Sequence, residues 1–433
     1  MNDTTLPPRI TLRFLRELIT RTLSLAVVVI VLAACSRTGE HEGPVTLRVM
    51  SGGGWNRAME EEAVARFRAK NPGFEVELIQ APGRDYYVKA LATIAAGSDL
   101  DILWMGSGFG LFSWRDALLP LDDFLKSDPD FEIEKYEPSV VNWYRHRGAL
   151  LGIPYGIDLQ AMAYNRAAFD AAGVPYPTPE WTFNEYVGIA KKISAFGKDH
   201  PSACRYGAGL DKIAPYYFGL SLTTEDGTKS GFQGEAAKAW LRENVELLSG
   251  GRGFLRVGAQ GTLDRLSEFL HGRVAMVEAY TWDVADLRNR ADFSWALMVN
   301  PIGHTGVRAG QASSSGFAIS SKTKHPGAAW LLLKELVGPE TQRKLMASTV
   351  PARIDLQPLY VEKNNLPQAN LQAFLDMMPY MKPLPRIPEL FEIDQEKDYW
   401  FELALQRGGD TSEIMPLLER NTNRILATSP ARE

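Results

Sequence analysis

The stretch Val45-Thr46-Leu47-Arg48-Val49-Met50-Ser51-Gly52-Gly53-Gly54-Trp55-Asn56 begins strand-like and then breaks into a glycine run. Beyond it Met59, Ala63, Val64 and Phe67 fall on one helical face, and Asn71-Pro72-Gly73 stops that helix. Phe74 to Ile79 alternates as a strand. Tyr86 to Ala96 reads as a helix with Val88, Leu91 and Ala95 inward, and Asp101 to Met105 as a short apolar strand. The order β-α-β-α-β predicts a parallel sheet covered by helices, hence an α/β fold.

The same alternation continues along the chain. Gly148 to Pro154 and Ala161 to Tyr164 read as strands flanking a turn at Tyr155-Gly156-Ile157-Asp158. Thr182-Phe183-Asn184-Glu185 has the capping-box pattern, a hydroxyl at the N-cap and a carboxylate three residues on, and opens a helix through Ile193. Helical patterns recur at Gly234 to Leu248, Thr262 to Leu270, Pro326 to Val337 and Pro339 to Ala347. Strands are predicted at Arg273 to Glu278, Ser294 to Val299 and Ser315 to Ile319.

Upstream of the fold, Arg9, Arg13, Arg16 and Arg21 precede an apolar run from Leu23 to Leu32. A run of about ten residues is too short to cross a hydrocarbon core of about 30 Å, so residues 1–34 read as a cleaved signal peptide. Leu32-Ala33-Ala34-Cys35 resembles the lipobox of bacterial lipoproteins, which makes Cys35 the expected lipidated N-terminus and membrane attachment point. Residues 35–43 would then be a lipid-anchored polar tether. The other cysteine, Cys204, has no intrachain partner left and reads as a small buried hydrophobe.

About 400 residues remain, enough for two substantial domains. The net charge of −5 carries no basic block, so the sequence does not suggest a nucleic-acid surface. No second apolar stretch reaches membrane-spanning length.

Several separated segments together resemble the extracellular solute-binding proteins of family 1, the sugar-binding subunits of bacterial ABC importers. They are Gly152-Ile153-Pro154-Tyr155-Gly156-Ile157-Asp158 running into Ala163-Tyr164-Asn165-Arg166, Phe269-Leu270-His271-Gly272-Arg273-Val274-Ala275-Met276 with Trp282 beyond, and Gly316-Phe317-Ala318-Ile319 before Ala328-Ala329-Trp330. The resemblance implies a two-lobed periplasmic-binding-protein-like fold of the class II type, with hinge crossings and an interlobe cleft. Its lobes would be 44–155 with 303–350, and 156–302 with 351–433, crossing near Tyr155, Pro301 and Pro351. It also implies an exported monomer without a cofactor. Such a protein closes on a carbohydrate and passes it to the permease subunits of an ABC transporter. A sensing role, in which the closed form docks on a receptor, stays open, as does a polyol or glycerol phosphate as solute.

A sugar presents hydroxyls at its edge and C–H groups on its faces, so its site combines aromatic plates with carboxylate, amide or guanidinium groups. Loops at the carboxyl ends of strands are the expected places. Trp55 and Asn56 follow the first strand as plate and hydrogen-bonding partner, or Trp55 packs the next helix. Trp104 and Ser107 follow the third strand, with Trp104 equally able to be core. Asp158, beside Tyr155, can accept two hydroxyls or cap a turn. Trp282 and Asp283 are the second lobe's candidates, joined by Tyr216, Ser314 and Arg353. Trp240, Trp330 and Trp400 occupy helical patterns and read as packing residues.

An enzyme is the competing class. The six histidines are scattered without metal-ligand spacing, and no Gly-x-Ser-x-Gly elbow occurs. The expectation is therefore a binding protein with no metal, cofactor or catalytic group of its own.

Overall fold

The computed structural model describes residues 45–53, 57–81, 85–249, 253–257, 264–364, 366, 369–408 and 412–429. Residues 46–72 and 76–433 form one compact unit, whose architecture follows. The signal peptide, Cys35 and its tether lie outside the described residues.

Along the chain the principal elements are β1 (Val45–Ser51), α1 (Arg57–Lys70), β2 (Phe74–Gln80), α2 (Asp85–Ala95), β3 (Ile102–Met105), β4 (Ile153–Asp158) and β5 (Gln160–Asn165). Then come α3 (Phe183–Asp199), β6 (Ala208–Leu210), α4 (Gly234–Ser249), β7 (Phe254–Arg256), β8 (Met276–Tyr280), β9 (Trp295–Met298) and β10 (Gly310–Ile319). The last are α5 (Pro326–Val337), β11 (Val350–Pro351), β12 (Met381–Pro383), α6 (Leu390–Arg407) and α7 (Ile414–Ala427).

Two sheets organise these elements. A seven-stranded sheet runs β11-β4-β10-β3-β1-β2, with β12 also paired to β10, and a five-stranded sheet runs β9-β5-β8-β6-β7. β1 and β3 are parallel, with Val49 opposite Ile102, as the opening pattern predicts. The chain leaves the large sheet at Asp158 and enters the small one at Gln160, with only Leu159 between. It returns between β9 and β10.

Each sheet is covered by its own helices. α1 packs on α5 beside the large sheet, while α6 and α7 pack with α4 beside the small one. The core of the smaller half gathers Trp181, Phe183, Tyr186, Trp240, Phe254 and Phe401. Cys204 is buried there, and burial pushes its thiol up to about 11, which suits an inert packing residue. Trp240 and Trp330 are buried as expected, and Trp400 is half-buried. Thr182 caps α3, with its hydroxyl accepting from the Glu185 backbone and the Glu185 carboxylate returning to the Thr182 N–H. The helix runs on past Ile193 to Asp199.

Three local readings differ from the structure. Tyr155 to Asp158 is not a turn but the end of β4, whose first five residues are all buried. Pro154 faces Gly316 at an irregularity in the β4–β10 ladder, the kind of place where a strand tolerates proline. Gly156 serves close approach, since a Cβ there would lie 2.7 Å from the Thr349 side chain. In α2 the inward face is Tyr86, Tyr87, Ala90 and Ile94. Val88 is 72% exposed, because the two tyrosines carry more buriable surface than the aliphatic set and fix the helix's rotation. The strand expected at Arg273 to Glu278 is Met276–Tyr280 instead. Arg273 N–H still bonds Glu268 O and Gly272 takes a positive φ of 65°, so those residues close the preceding helix.

Candidate functional site

The carboxyl ends of β1 and β3 meet the crossing end of β4, and the residues there form the first half of the site. Trp55 and Asn56 lie outside the described residues. Trp104 is half-buried at the end of β3, and its Nε1 donates to the Tyr155 hydroxyl at 3.1 Å. Its indole occupies space that two glycines leave open: a Cβ on Gly52 would lie 3.0 Å from the ring and one on Gly106 2.6 Å. That gives Gly52 a packing function. Tyr155 itself is 2% exposed, so it supports Trp104 from within the core.

Next to this pair a small, half-open cleft lies, with Gly106, Ser107, Phe109, Trp143 and Tyr144 on one side. Residues 312–314 of β10, together with Pro383, Leu384 and Arg386, complete the lining. Ser107 and Ser314 are thus brought together. Ser314 is 6% exposed, and its hydroxyl donates to Gly156 O at 2.9 Å.

Asp158 stands behind the cleft wall at the last residue before the chain changes sheets. Ser313 and Ser315 hydroxyls donate to its Oδ2 at 3.1 and 3.3 Å, and the Thr349 hydroxyl to Oδ1 at 3.0 Å. Burial drives its pKa up to about 6, against the three hydroxyl donors that favour the charged form. Two carboxylate oxygens offer about four acceptor positions, so roughly one remains for a solute hydroxyl.

The second group lies at the end of β8. The Tyr216 hydroxyl donates to Gln160 Oε1 at 2.8 Å and lies 3.1 Å from Glu278 Oε1. Burial raises the Glu278 carboxyl above its ordinary range. Gln160 Nε2 reaches the Tyr280 hydroxyl at 3.4 Å, while its Oε1 accepts from Gln311 N of β10 at 3.1 Å. One glutamine therefore joins the two sheets. Trp282 follows in a single 3-10 turn, 45% exposed, its ring stacked on Tyr280 with centroids 4.4 Å apart and planes 3° from parallel. This is an aromatic plate backed by a second one.

Two expected solute contacts are committed elsewhere. Asp283 is 4% exposed, ion-paired to Arg265 at 2.8 Å, and accepts the Tyr280 N–H at 2.8 Å. It holds the turn that carries Trp282, with the Arg265 guanidinium 5.0 Å from the Tyr280 ring centre. Arg353 is buried too, and its guanidinium grips Asp355 at 2.9 and 3.0 Å beside the Tyr136 ring. It is absent from the cleft lining. Sequence could not warn of either, since the partners Arg265 and Asp355 become meaningful only once the chain is folded.

Tyr144, Trp143, Tyr280 and Arg386 were not singled out by the sequence. Each sits in a segment without a distinguishing pattern. Among the described residues no cluster of three or more His, Cys, Asp or Glu side chains could hold a metal ion. No described helix is long and apolar enough to cross a membrane. The site offers hydroxyls, two carboxylates and flat rings, a surface for holding a polyhydroxylated solute by hydrogen bonds and ring-face contact.

Residues 62–367 match the family model described as bacterial extracellular solute-binding protein. A protein of Brucella abortus (strain 2308) is 24% identical, over 77% of this chain and 81% of that protein. A lipoprotein of Streptomyces antibioticus, from the 5' region of oleD, is 25% identical over 75% of this chain and 74% of its own. The structure of the ABC substrate-binding protein Lmo0181 of Listeria monocytogenes, in complex with cycloalternan, superposes with a TM-score of 0.76. That match has 20% identity and covers 89% of this chain and 99% of that one, which shows the shared two-lobed α/β fold.

Proposed function

This chain belongs to the bacterial extracellular solute-binding proteins, and we propose that it captures a carbohydrate by hinge closure and delivers it to the permease of an ABC importer. The observation that carries the sugar reading is the half-exposed Trp282 ring stacked on Tyr280, and the separate cleft near Trp104, lined by serine and tyrosine hydroxyls, supports it. A cycloalternan-bound relative of the same fold supports it.

The lobes would be residues 44–155 with 303–350, and 156–302 with 351–433. Sheet membership supports this division as far as β10, since β1 to β4 and β10 lie in one sheet and β5 to β9 in the other, whereas β12 of the second span pairs with β10 in the first sheet. Closure needs a solute that touches both halves, because only contacts made in the closed state shift the balance toward it. Trp104, Ser107 and Asp158 would serve one side, Tyr216 and Trp282 the other. Trp55 and Asn56 would complete the first. Asp283 and Arg353 would act by holding structure. The closed shape then docks on the permease, whose ATPase subunits drive uptake.

The export expected of the family agrees with the N-terminal leader pattern. A monomer held through acylated Cys35 would stay near its permease, at a raised effective concentration. The Streptomyces lipoprotein relative supports that anchor. Isothermal titration against a panel of mono- and oligosaccharides tests the central reading. A saturable, stoichiometric heat with at least one sugar is expected; the absence of binding across the panel would sink it.

A further inference from the structure

We propose that the hinge carries a pH-responsive tie, in which a proton on Glu278 lets the Tyr216 hydroxyl hold Gln160 between the two sheets, and loss of that proton to water turns the hydroxyl away. The inference rests on the reading of the two sheets as hinged lobes and goes beyond it in naming the group that regulates them.

Gln160 is the first residue of β5 after the chain leaves the large sheet, and it is 1% exposed. Its Oε1 lies 3.1 Å from Gln311 N of β10, 3.2 Å from Asn300 Nδ2 just beyond β9, and 2.8 Å from the Tyr216 hydroxyl. Both ends of the second passage between the sheets therefore meet on the residue that completes the first. Tyr216 stands between Gln160 Oε1 and Glu278 Oε1, the latter 3.1 Å away. Two oxygen–oxygen contacts of this length need two hydrogens, and a phenol supplies one. Gln160 Oε1 has none to give, so the second sits on Glu278. The neutral carboxyl donates to Tyr216, and Tyr216 donates to Gln160. An ionised Glu278 only accepts, and as the charged acceptor it claims the Tyr216 hydrogen. Gln160 Oε1 then faces a phenol oxygen with no hydrogen between them, and the amide is pushed from its place against Gln311. Gln160 Nε2 also reaches the Tyr280 hydroxyl, whose ring backs Trp282, so the same amide joins the hinge to the aromatic plate.

The surroundings of Glu278 favour its neutral form. Burial raises its pKa most, and the Asp211 charge adds to the rise, against the Tyr216 bond, the Arg265 charge and the Gln160 amide. Arg265 is paired with Asp283, and it donates to the Glu278 backbone carbonyl. Lys212 lines the same small pocket as Glu278 but is held by Asp211 and Asp398 at 2.6 and 2.9 Å. The other titratable neighbours are tyrosines: Tyr186 of α3, Tyr217 beside Tyr216, and Tyr280 on the same strand. Burial raises all three, so none of them changes charge between pH 4 and pH 8.

Double electron–electron resonance on the solute-free protein tests the proposal, with spin labels on Val88→Cys of α2 and Lys192→Cys of α3 and with Cys35→Ala to keep the label off the N-terminus. Both labelled positions are exposed, and the buried Cys204 stays unlabelled. The fraction of molecules outside the principal interlobe distance should be about fivefold larger at pH 8 than at pH 4.5, the effect of one hydrogen bond lost. Glu278→Gln, whose amide donates to Tyr216 at every pH, should keep the narrow distribution throughout. Gln160→Leu should be broad throughout. Tyr216→Phe leaves the carboxyl in place and should be insensitive to pH, a readout that serves if Glu278→Gln fails to fold. A response that persists in Glu278→Gln overturns the inference, and its loss in Asp158→Asn would assign it to the other raised carboxyl at the hinge. A wild-type distribution that is the same at both pH values, with Gln160→Leu broadened, also overturns it and leaves the hinge reading standing. A single fixed distance in every variant, Gln160→Leu included, overturns both.

Discussion

Asp158→Asn is the most informative single substitution, because it removes a charge that the fold holds at a cost. The folded carboxyl has a pKa of about 6, against an ordinary value of 3.8. A difference of about two units corresponds to roughly 3 kcal/mol between the two protonation states. The sign follows from the raised value. The stabilising contribution of the protonated form is fully present below the unfolded pKa and is lost as pH rises through the folded one. Near pH 7.5 the wild-type protein therefore carries the whole penalty, and near pH 4 almost none.

Asparagine has the shape of the protonated acid and does not titrate. The variant should be more stable than wild type by about 2–3 kcal/mol at pH 7.5, with the gap closing by pH 4. Some of the gain is offset where Ser313, Ser315 or Thr349 must turn its hydroxyl to suit an amide nitrogen, at about 1 kcal/mol for each hydrogen bond lost. Denaturant unfolding followed by circular dichroism at intervals from pH 4 to pH 8 measures the difference curve. Taking the difference cancels the many other carboxylates that titrate in that range. Parallel curves, or a variant less stable at pH 7.5, would refute the reasoning. The same substitution should weaken solute binding, since the charged acceptor is lost along with the penalty.

Trp282→Ala removes an exposed ring and should weaken sugar binding at least tenfold, leaving the unfolding midpoint within a degree or two; equal loss of both would make the ring a packing residue. Thr182→Ala should cost about 1 kcal/mol of stability through the lost cap of α3, with solute affinity unchanged by titration. Cys35→Ala should move the protein from the membrane fraction to the soluble one, and intact-mass measurement should find the acylated N-terminus only in wild type. Retention of the variant in the membrane fraction would exclude the lipid anchor.

Much of the fold was legible because local patterns and tertiary demands agree. The opening strand, the α1 face of Met59, Ala63, Val64 and Phe67, and the Thr182 capping box depend on neighbours within four residues, so the sequence displays them directly. Where two local signals compete, only packing arbitrates. α2 could bury either its aliphatic set or Tyr86 and Tyr87, and the Tyr86 hydroxyl, which reaches Trp104 O at 2.6 Å, goes with the second choice. Gly156 carries the composition of a turn, yet its purpose is the closeness of Thr349, a residue 193 positions away.

The candidate site divides the same way. Aromatic residues after strand ends, Trp104 and Trp282, are visible in the sequence because strand ends in an α/β chain face the ligand side. Which polar residues stay available there is a property of partners brought from afar. Asp283 is taken by Arg265 and Arg353 by Asp355. The sequence by itself determined the alternation of strands and helices and the likeness to a solute-binding family, since periodicity and short motifs are local. Only the tertiary structure decided which charges are spent on the fold and which remain for a ligand, because that balance is set by contacts between segments that the sequence keeps hundreds of residues apart.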